Sequence, residues 1–497
     1  MTHYGFPIWL VVTHFLNLLL LTLLARSGLE ILSAFPKLYV SDDCPPGREL
    51  ARFTKKTFAA DSRKPWSSLD EEESWSPLVA LPGRKNLGLG RHWHFLSVQF
   101  WVLTGVVYVV LLFADDQWRR IVPTHWSIVP NALASIGKYL QLHLAAVQPG
   151  LPYDAAQQLA YFAVIFIIAP LQIATGAAMS PAVIARFPRY TRLFGGKQRA
   201  RTLHFIGLCL LAGFVVVHTL MVVIHGLPKG LAMIVLGSPS ANHTTAVVIG
   251  ALGLAGVVLV NVAATTFSLA YRRRAQRLLG RIVDPFERLI SRTFTSRQHY
   301  SAADVSPYHR VNGYPPPDTR YQELARTEFR DYRLEVGGLV EEPLNLSLAE
   351  LRELCADAQI TKHNCIQGWT AVAQWRGVPV STLIERCRPL KQAHFLVFRA
   401  FDDKGLTEGE GRFGHYYGTL SMRLANNPQT ILALEMNGVP LPIEHGAPVR
   451  LRVETQLGFK MVKWVKSIEF VEDYTRIGQG QGGWREDQHY YANAAGI

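Results

Sequence analysis

Long apolar runs fill the first half of the chain, and short alternating runs fill the second. Five of the apolar runs are long enough to cross a bilayer, which takes about 20 residues each. They lie at roughly 6–25, 93–113, 158–179, 203–225 and 245–270. Pro170 inside the third run predicts a kink, because proline cannot donate the helical hydrogen bond. The first half is therefore predicted to be an all-α transmembrane bundle of five helices.

The second half alternates apolar and polar residues as half-buried strands do. From Tyr332 onward these runs are separated by two predicted short helices, at 347–356 and 380–387. This pattern predicts a soluble, mixed α+β domain, and the chain as a whole is multi-domain. The predicted divisions are a transmembrane domain at 1–275, a basic amphipathic linker at 276–304, a soluble domain at 305–475 and a tail without assignment at 476–497.

The net charge of +13 lies entirely in the first half. Residues 1–290 carry 27 Lys and Arg against 14 Asp and Glu, whereas residues 291–497 carry 24 of each kind. A basic excess that accompanies apolar runs indicates membrane flanks and contact with the lipid bilayer, and no nucleic acid is expected as a partner. The five cysteines show no C-x-x-C pair, which argues against a disulfide framework and favours a reducing compartment.

Lys and Arg are concentrated in the connections after the first, third and fifth runs. The other two connections have little or no basic excess: 114–157 has three basic and three acidic residues, and 226–244 has only Lys229. The positive-inside rule then puts the N-terminus outside and the soluble domain in the cytoplasm. The first run lacks a basic n-region and contains His14 and Asn17, so we expect no cleavable signal peptide. These features predict a multi-pass protein of a bacterial inner membrane.

Four histidines lie in or at the entry of the apolar runs, where ionisable groups are rare and usually functional. His204 and His218 are 14 residues apart, so on one helix they face the same side, about 21 Å from each other. The direction of the helices pairs His14 with His218 near the outer face and His94 with His204 near the inner face. A single such histidine is more simply a hydrogen-bonding group, but two pairs at two depths predict two bis-histidine b-type haems.

The motif R-x-x-H-F begins at Arg91 and again at Arg201, and its histidines are the inner pair. The repeat favours His94 over His92 as a haem ligand and offers both arginines to haem propionates. The histidines and the topology resemble the diheme cytochrome b subunit of formate dehydrogenases and nickel-iron hydrogenases, over about residues 1–275. The resemblance implies electron exchange with quinone or quinol, for which the chain has no readable motif.

Residues 361–383, TKHNCIQGWTAVAQWRGVPVSTL, contain Cys365 in the pattern C-x-x-G-W followed by W-x-G-V-P. A lone cysteine is normally an inert, buried side chain. The pattern, however, resembles the molybdopterin-binding domain of the sulfite oxidase superfamily, and the resemblance extends over roughly 305–475. It implies that the thiolate of Cys365 ligates molybdenum, a role for which a soft sulfur donor is suited.

Further motifs carry the same resemblance. HYYGTLSM implies an active-site tyrosine at Tyr417, LEMNGVPLPIEHGAPVR ends at Arg450, GFKMVKW is similar to a lysine-bearing phosphate site, and PYHRVNGYPPPD resembles the segment that opens the domain. A basic strand pair and an ordinary core tyrosine are the simpler interpretations of these residues taken singly. The residues that the resemblance offers to the pterin, its phosphate or the substrate are Arg310, Asn312, His363, His445, Arg450, Lys460 and Lys463.

Together these features predict a membrane-bound molybdenum-cofactor oxidoreductase. Electrons would pass between a cytoplasmic molybdopterin site and quinone or quinol through two transmembrane haems. Cys365 is followed by I-Q-G-W, without the arginines that sulfite oxidases carry in A-G-N-R-R, and C-x-x-G-W is closer to the bacterial methionine-sulfoxide-reductase type. This favours reduction of a small S-oxide or N-oxide over oxidation of an oxyanion.

Two other functions stay open at this point. One is a sulfite-oxidase-like dehydrogenase that feeds electrons to quinone. The other is a membrane electron-transfer cytochrome, superoxide-oxidising for example, with an accessory soluble domain. The oligomeric state, including a homodimer, is open as well.

Overall fold

A computed structural model of the 497-residue chain describes residues 5–56, 65–293, 298–407, 414–493 and 495–496. Within these residues, five helices are long and apolar enough to cross a membrane. They confirm the five predicted runs and are called spans 1 to 5 here: Ile8–Ala34, Leu87–Ala114, Ala155–Met179, Lys197–Ile224 and His243–Ala270. The protein is therefore a multi-pass membrane protein.

Span 3 contains the irregularity that Pro170 predicts. The segment Val164–Ile168 is a π-helical turn between the α-helices Ala155–Ala163 and Ala169–Met179. Proline has no N–H for the carbonyl four residues earlier, and a π turn is a common way for a helix to absorb such a defect. The span stays continuous through the membrane.

Polar side chains join spans 1 and 5. Arg26 of span 1 donates to Asn261 Oδ1 at 2.9 Å and to Thr265 Oγ1 at 2.7 Å, both on span 5. It also donates to the carbonyl of Pro77 at 2.5 Å. An arginine within a span is costly unless several acceptors satisfy it, so these bonds fix how span 1 packs on span 5.

The basic amphipathic segment forms one helix, Arg272–Thr293, directly after span 5. Its Ala275, Leu279 and Val283 are buried. The predicted linker at 276–304 thus begins inside this helix, and residues 294–297 of it lie outside the described residues.

Shorter helices lie between the spans and between the strands of the sheets. Their bounds are Ser68–Glu71, Ile128–Leu140, Pro181–Arg186, Pro188–Leu193, Leu227–Leu236, Thr319–Arg326, Leu348–Glu353, Val380–Cys387, Lys404–Thr407, Met422–Ala425 and Trp484–His489. Two of them confirm the predicted helices of the soluble domain.

In the part of the C-terminal domain that the structure describes, there are two five-stranded sheets, which confirms the predicted mixed α+β class. The strands of the chain, in order, are β1 Lys37–Leu38, β2 Ala51–Arg52, β3 Arg333–Gly338, β4 Leu344–Ser347, β5 Gln359–Asn364, β6 Thr370–Pro379, β7 Phe395–Asp403, β8 His415–Ser421, β9 Thr430–Met436, β10 Val439–Pro440, β11 Arg450–Val453 and β12 Val465–Val471. One sheet has the order β10-β9-β6-β5 with β11 on β9, and the other has the order β4-β3-β12-β7-β8.

All strand pairs of these two sheets are antiparallel except β12 with β3. The core of the domain is built from buried side chains of both sheets, among them Trp375 and Phe398. At Gly377 the ladder between β6 and β9 shifts register, and any Cβ there would clash with the carbonyl of Leu432. Glycine is required at that bulge.

The connection between spans 1 and 2 is a folded element that carries strands β1 and β2. We call residues 35–56 and 65–86 the platform. Two ion pairs join it to the C-terminal domain. Glu71, which also contacts Lys37 within the platform, forms a buried pair with Arg310, and the partly exposed Asp42 contacts Lys362 at 2.5 Å. The platform therefore holds the soluble domain against the membrane domain.

Candidate active site and haem-ligand pairs

Cys365 occupies the tight turn between β5 and β6. The strands pair up to Asn364 and Thr370, and the turn is closed by bonds from Cys365 N to Trp369 O at 3.1 Å and from Gly368 N to Cys365 O at 3.1 Å. Gly368 has a φ of +124°, which a side chain would disfavour. The turn holds the Cys365 thiol, 5% exposed, at the wall of a cleft.

Burial raises the pKa of the Cys365 thiol to about 11, against the opposing effect of a hydrogen bond at Gln367 and the charges of Lys197, Arg310 and Arg485. A metal ion would replace the proton, since coordination deprotonates a thiol outright. The Sγ–Gln367 Oε1 distance of 3.5 Å places a neutral amide beside the thiol.

The cleft is lined by residues of the platform and of the soluble domain. The platform contributes Ser68 and Leu69, and the C-terminal tail contributes Arg485 and Tyr491. The soluble domain contributes most of the remaining wall: Arg310, Val311, Asn312, Gly313, His363, Ile366, Gln367, Trp369, Asp402, Lys404, Tyr416, Arg450, Gly458, Phe459, Met461, Lys463 and Trp464.

Arg450 and Lys463 line the cleft, as expected for a phosphate site. Arg450 donates to the carbonyl of His445 at 3.0 Å, and Lys463 donates to the carbonyls of Glu444 at 2.9 Å and Val311 at 3.3 Å. Burial, with the nearby Arg452, lowers the pKa of Arg450 to about 9, and burial, with Arg450, holds the pKa of Lys463 well below its usual value. A bound phosphate would stabilise these two desolvated cations, because its negative charge offsets their mutual repulsion.

Unpaired donors strengthen the fit of the cleft to a polar cofactor. Arg450 Nε and Trp369 Nε1 are buried, line the cleft and have no hydrogen-bond partner among the described residues. Such groups are costly unless a ligand accepts from them. The donor set, with the thiol of Cys365, fits a molybdopterin.

Arg310 and Asn312 also line the cleft, where the platform meets the soluble domain. Arg310 pairs with Glu71 at 3.3 Å and donates to the carbonyl of Cys44 at 3.1 Å. Asn312 has a φ of +52°, and its Oδ1 accepts from Ser68 N at 3.0 Å and from Ser68 Oγ at 2.7 Å. Both residues fix the platform on the site.

The two predicted histidines lie at different depths. His363 lines the cleft with its ring 5.1 Å from that of Trp369, and Arg452 Nη1 lies 3.1 Å from its Nδ1. Burial and the neighbouring arginines hold its pKa well below the usual value, so the ring is neutral at neutral pH. His445 lies behind the wall, 5.3 Å from the ring of His309, and burial lowers its pKa to about 3.

The tyrosine offered by the sequence lies outside the cleft. Side chains alternate along β8, so Tyr416 faces the cleft and Tyr417 faces the opposite side. Tyr417 donates to Asp487 Oδ2 at 2.5 Å and to the carbonyl of Ile477 at 3.0 Å, and Tyr416 donates to the carbonyl of Phe459 at 2.5 Å. The structure therefore offers Tyr416, in place of the predicted Tyr417, to a molecule in the cleft.

Lys460, offered to the phosphate by the sequence, is buried under the C-terminal tail. Its Nζ donates to Glu486 at 2.5 Å and to Asn493 Oδ1 at 2.7 Å. Of the two lysines that the sequence offered, Lys463 lines the cleft.

The four membrane histidines meet in the two predicted pairs. The ring centroids of His14 and His218 are 6.4 Å apart, and those of His94 and His204 are 6.5 Å apart. Two imidazoles bound to opposite sides of one metal, with bonds of about 2 Å, have centroids about 6 Å apart. Both pairs therefore fit a bis-histidine haem.

Neighbouring hydroxyl groups orient three of the rings, which sequence reasoning missed. Ser27 Oγ lies 3.1 Å from Nδ1 of His94, and Thr175 Oγ1 lies 3.0 Å from Nδ1 of His204. Tyr161 OH lies 3.5 Å from Nδ1 of His218. A partner at Nδ1 leaves Nε2 for a metal. In the sequence, the dipeptides S-G at 27–28 and T-G at 175–176 mark two of these hydroxyl groups, and each glycine lies against the ring of the same histidine.

The arginines offered to haem propionates have other neighbours. Arg201 donates to the carbonyls of Phe35 and Lys37, each at 2.5 Å, and so ties the platform to span 4. Arg91 stacks on the ring of Phe95 at 5.1 Å and lines a second cavity between span 2 and the soluble domain. Contact of either arginine with a haem propionate stays a prediction.

The turn of Cys365 touches the start of span 4. Gln198 Nε2 donates to the carbonyl of Gly368 at 2.9 Å. His204 follows Gln198 by less than two helical turns, at about 1.5 Å per residue. The candidate molybdenum ligand and the His94–His204 pair therefore share one end of the bundle.

Comparisons with known families agree with this arrangement. Residues 5–235 match the family described as prokaryotic cytochrome b561, and residues 321–476 match the oxidoreductase molybdopterin binding domain. The two matches are consistent with a fusion of a b-type cytochrome domain with a molybdopterin-binding oxidoreductase domain, and they support b-type haem and a molybdenum pterin as cofactors.

Curated relatives of the chain carry related names. It is 33% identical to a putative protein-methionine-sulfoxide reductase subunit YedZ1 of Azospira oryzae, over 34% of this chain and 57% of the relative. It is 33% identical to the protein-methionine-sulfoxide reductase catalytic subunit MsrP of Xanthomonas axonopodis, over 34% and 54%. For MsrP of Campylobacter jejuni the identity is 29%, over 33% and 57%. The chain thus spans just over half the length of these relatives.

Proposed function

We propose that this protein is a membrane-bound oxidoreductase that reduces a small S-oxide, or a related N-oxide, at the Cys365 cleft. In the balanced reaction, one sulfoxide, two protons and two electrons give one sulfide and one water. A bound molybdenum pterin supplies the oxygen-atom transfer, and quinol, oxidised to quinone, supplies two electrons and two protons. His14 with His218 and His94 with His204 would each hold a haem, which would supply one-electron transfer between the two reactions.

The contact between the Cys365 turn and span 4 is the observation that carries this proposal. Gln198 bonds the turn directly, and His204 follows on the same helix. A redox site built against a haem-ligand helix can exchange electrons with it over a short path. The names of the relatives support a sulfoxide as the substrate class.

The amide of Gln367 beside the thiol favours a neutral substrate. A doubly charged oxyanion would gain from arginines in that position, whereas an S-oxide needs only hydrogen-bond donors. The catalytic cleft would lie on the cytoplasmic face of a bacterial inner membrane, with the N-terminus outside, because the basic connections flank the same end of the bundle as the soluble domain.

The test uses detergent-purified protein loaded with molybdenum pterin and haem. The haems are reduced with a stoichiometric amount of dithionite, and methionine sulfoxide is added under anaerobic conditions. We expect the haem α-band to decay as methionine forms, with two haems oxidised per sulfoxide consumed. Haem oxidation that needs no sulfoxide, or haem reduction by sulfite in the oxidised protein, would contradict the proposal; the second result would assign a sulfite dehydrogenase instead.

A further inference from the structure

The C-terminal tail, which the sequence left without assignment, is an ordered part of the site. We call residues 477–493 the strap. It includes the helix Trp484–His489 and packs on the soluble domain through two buried acids. Glu486 accepts from Lys460 at 2.5 Å, and Asp487 accepts from Tyr417 at 2.5 Å. These contacts explain why Lys460 and Tyr417 face away from the cleft.

The membrane domain anchors the same short stretch from the other side. Arg273, just after span 5, donates to the carbonyls of Glu486 at 3.0 Å and Asp487 at 2.7 Å, and it stacks on the ring of Tyr490 at 4.8 Å. At Gly88, where span 2 begins, a Cβ would lie 2.5 Å from the carbonyl of Tyr490. The strap therefore crosses span 2 in close contact and is fixed by both domains.

Arg485 lies at the centre of this doubly anchored stretch and lines the cleft. Its guanidinium stacks on Trp484 at 5.0 Å, and its Nη1 lies 2.8 Å from Nε2 of His489. These contacts hold the planar group in one orientation. The charges of Arg485 and of Arg310 both act to lower the pKa of the Cys365 thiol, against the larger effect of burial.

Five cations line the cleft among the described residues: Arg310, Lys404, Arg450, Lys463 and Arg485. Two of them form one group. Arg450 and Lys463 lie together on either side of Gly446, where an added Cβ would contact the side chains of both. Arg485 comes from the strap and acts on the Cys365 end of the cleft. The first group suits the phosphate of a cofactor, and Arg485 suits an oxygen of a molecule that enters beside Cys365.

We infer that Arg485 is a substrate-binding residue that donates hydrogen bonds to the oxygen of an S-oxide or N-oxide. This inference rests on the proposed function. The Cys365 turn presents the neutral Gln367, so the strap supplies the cationic donor for the oxygen. Binding would hold the partially negative S–O oxygen beside the thiol ligand before reduction.

Arg485→Gln and Arg485→Lys test the inference, with Arg476→Gln as the matched control, because Arg476 is an exposed arginine of the preceding loop. The probe is methionine sulfoxide, titrated calorimetrically into the loaded protein without an electron donor, so that binding is measured without turnover. We expect Arg485→Gln to weaken binding and raise KM by about 10- to 100-fold, since a hydrogen bond to a charged group is lost. Arg485→Lys should recover part of the loss, and Arg476→Gln should match the wild type.

The molybdenum and haem content of each variant shows whether Arg485 binds the substrate or holds the cofactor. Unchanged content with weaker sulfoxide binding supports a substrate role. Loss of molybdenum in Arg485→Gln, or unchanged binding in both Arg485 variants, would overturn the inference. If Arg485→Gln fails to fold, Arg485→Lys decides, because lysine keeps the charge and loses the planar fork. Absence of sulfoxide reduction by the wild type, with binding still dependent on Arg485, would instead sink the proposed function.

Discussion

At the scale of single residues, the turn between β5 and β6 gives the Cys365 thiol the properties of a metal ligand. The thiol is buried, its pKa is raised to about 11, and a neutral amide lies beside it. Such a thiol is inert as a nucleophile in the free protein and is suited to a metal that displaces its proton. Among the described residues that line the cleft, Cys365 is the single cysteine.

Replacing Cys365 with serine should remove one sulfur ligand from molybdenum and abolish sulfoxide-dependent haem oxidation. X-ray absorption at the molybdenum edge counts the sulfur ligands, and the pyridine haemochrome assay counts the haems, which should stay unchanged. Cys355→Ser is the control, because Cys355 is partly exposed, does not line the cleft and donates to the carbonyl of Leu351. An equal sulfur count in the Cys365 variant would rule out this thiol as the ligand.

The sequence predicted Cys365 and the four membrane histidines because each lies in a strong local pattern. Tyr417 shows the limit of local patterns, because Tyr416 lies beside it in the same motif. Which of the two lines the cleft depends on which face of β8 packs on the strap, and the sequence does not show this. Arg485 could not be predicted at all, since its place depends on Arg273, more than 200 positions away in the chain.

At the scale of elements, the platform connects the two halves of the molecule. Sequence analysis predicted the five spans and both domain classes from hydrophobic periodicity, but the platform appeared only as a basic connection. Its decisive contact, from Asp42 to Lys362, joins residues 320 positions apart. Local patterns carry no information on such pairs, so the docking of the domains required the structure.

The substitution Asp42→Asn should loosen this docking. The new amide would keep an oxygen for the N–H of Gln198, now at 2.9 Å from Asp42 Oδ1, but it would leave the ammonium of Lys362 without this counter-charge. We expect a loss of about 1–3 kcal/mol in the free energy of unfolding, less than for a fully buried pair because Asp42 is 29% exposed. Thermal unfolding measures it. Glu435→Gln is the control. Its partner Arg376 is 44% exposed, whereas Lys362 is 10% exposed, so this change should cost about 0–1 kcal/mol.

The same pair predicts a pH dependence. Burial opposes ionisation of Asp42, but Lys362 and the N–H of Gln198 outweigh it and lower the pKa below the usual 3.8. A lowered carboxyl pKa gives stability that is complete above the usual value and is lost as the pH falls through the lowered one. The difference in Tm between wild type and Asp42→Asn should therefore shrink below pH 3.8, and a constant difference would contradict this assignment.

At the scale of the whole molecule, the redox groups would form one line from the cleft across the bilayer. The Cys365 turn bonds the start of span 4, His204 follows within the same helix, and His218 lies 14 residues further on, about 21 Å along the axis. Electron transfer falls steeply with distance, so the inner haem would be an obligatory intermediate between the cleft and the outer haem. The order cleft, inner haem, outer haem follows from the positions of Gln198, His204 and His218 along the single helix of span 4.

Removing the haems one at a time tests that order. With His14→Ala the outer haem should be lost, and the inner haem should still be oxidised by methionine sulfoxide at close to the wild-type rate. With His204→Ala the outer haem remains, but His218 lies 20 residues, or about 30 Å of helix, beyond the cleft contact at Gln198, so oxidation of the outer haem by sulfoxide should fall to background. Stopped-flow spectroscopy of the dithionite-reduced variants distinguishes the two. Rapid oxidation of the outer haem in His204→Ala would mean that electrons reach it by another path, and the linear relay would have to be abandoned.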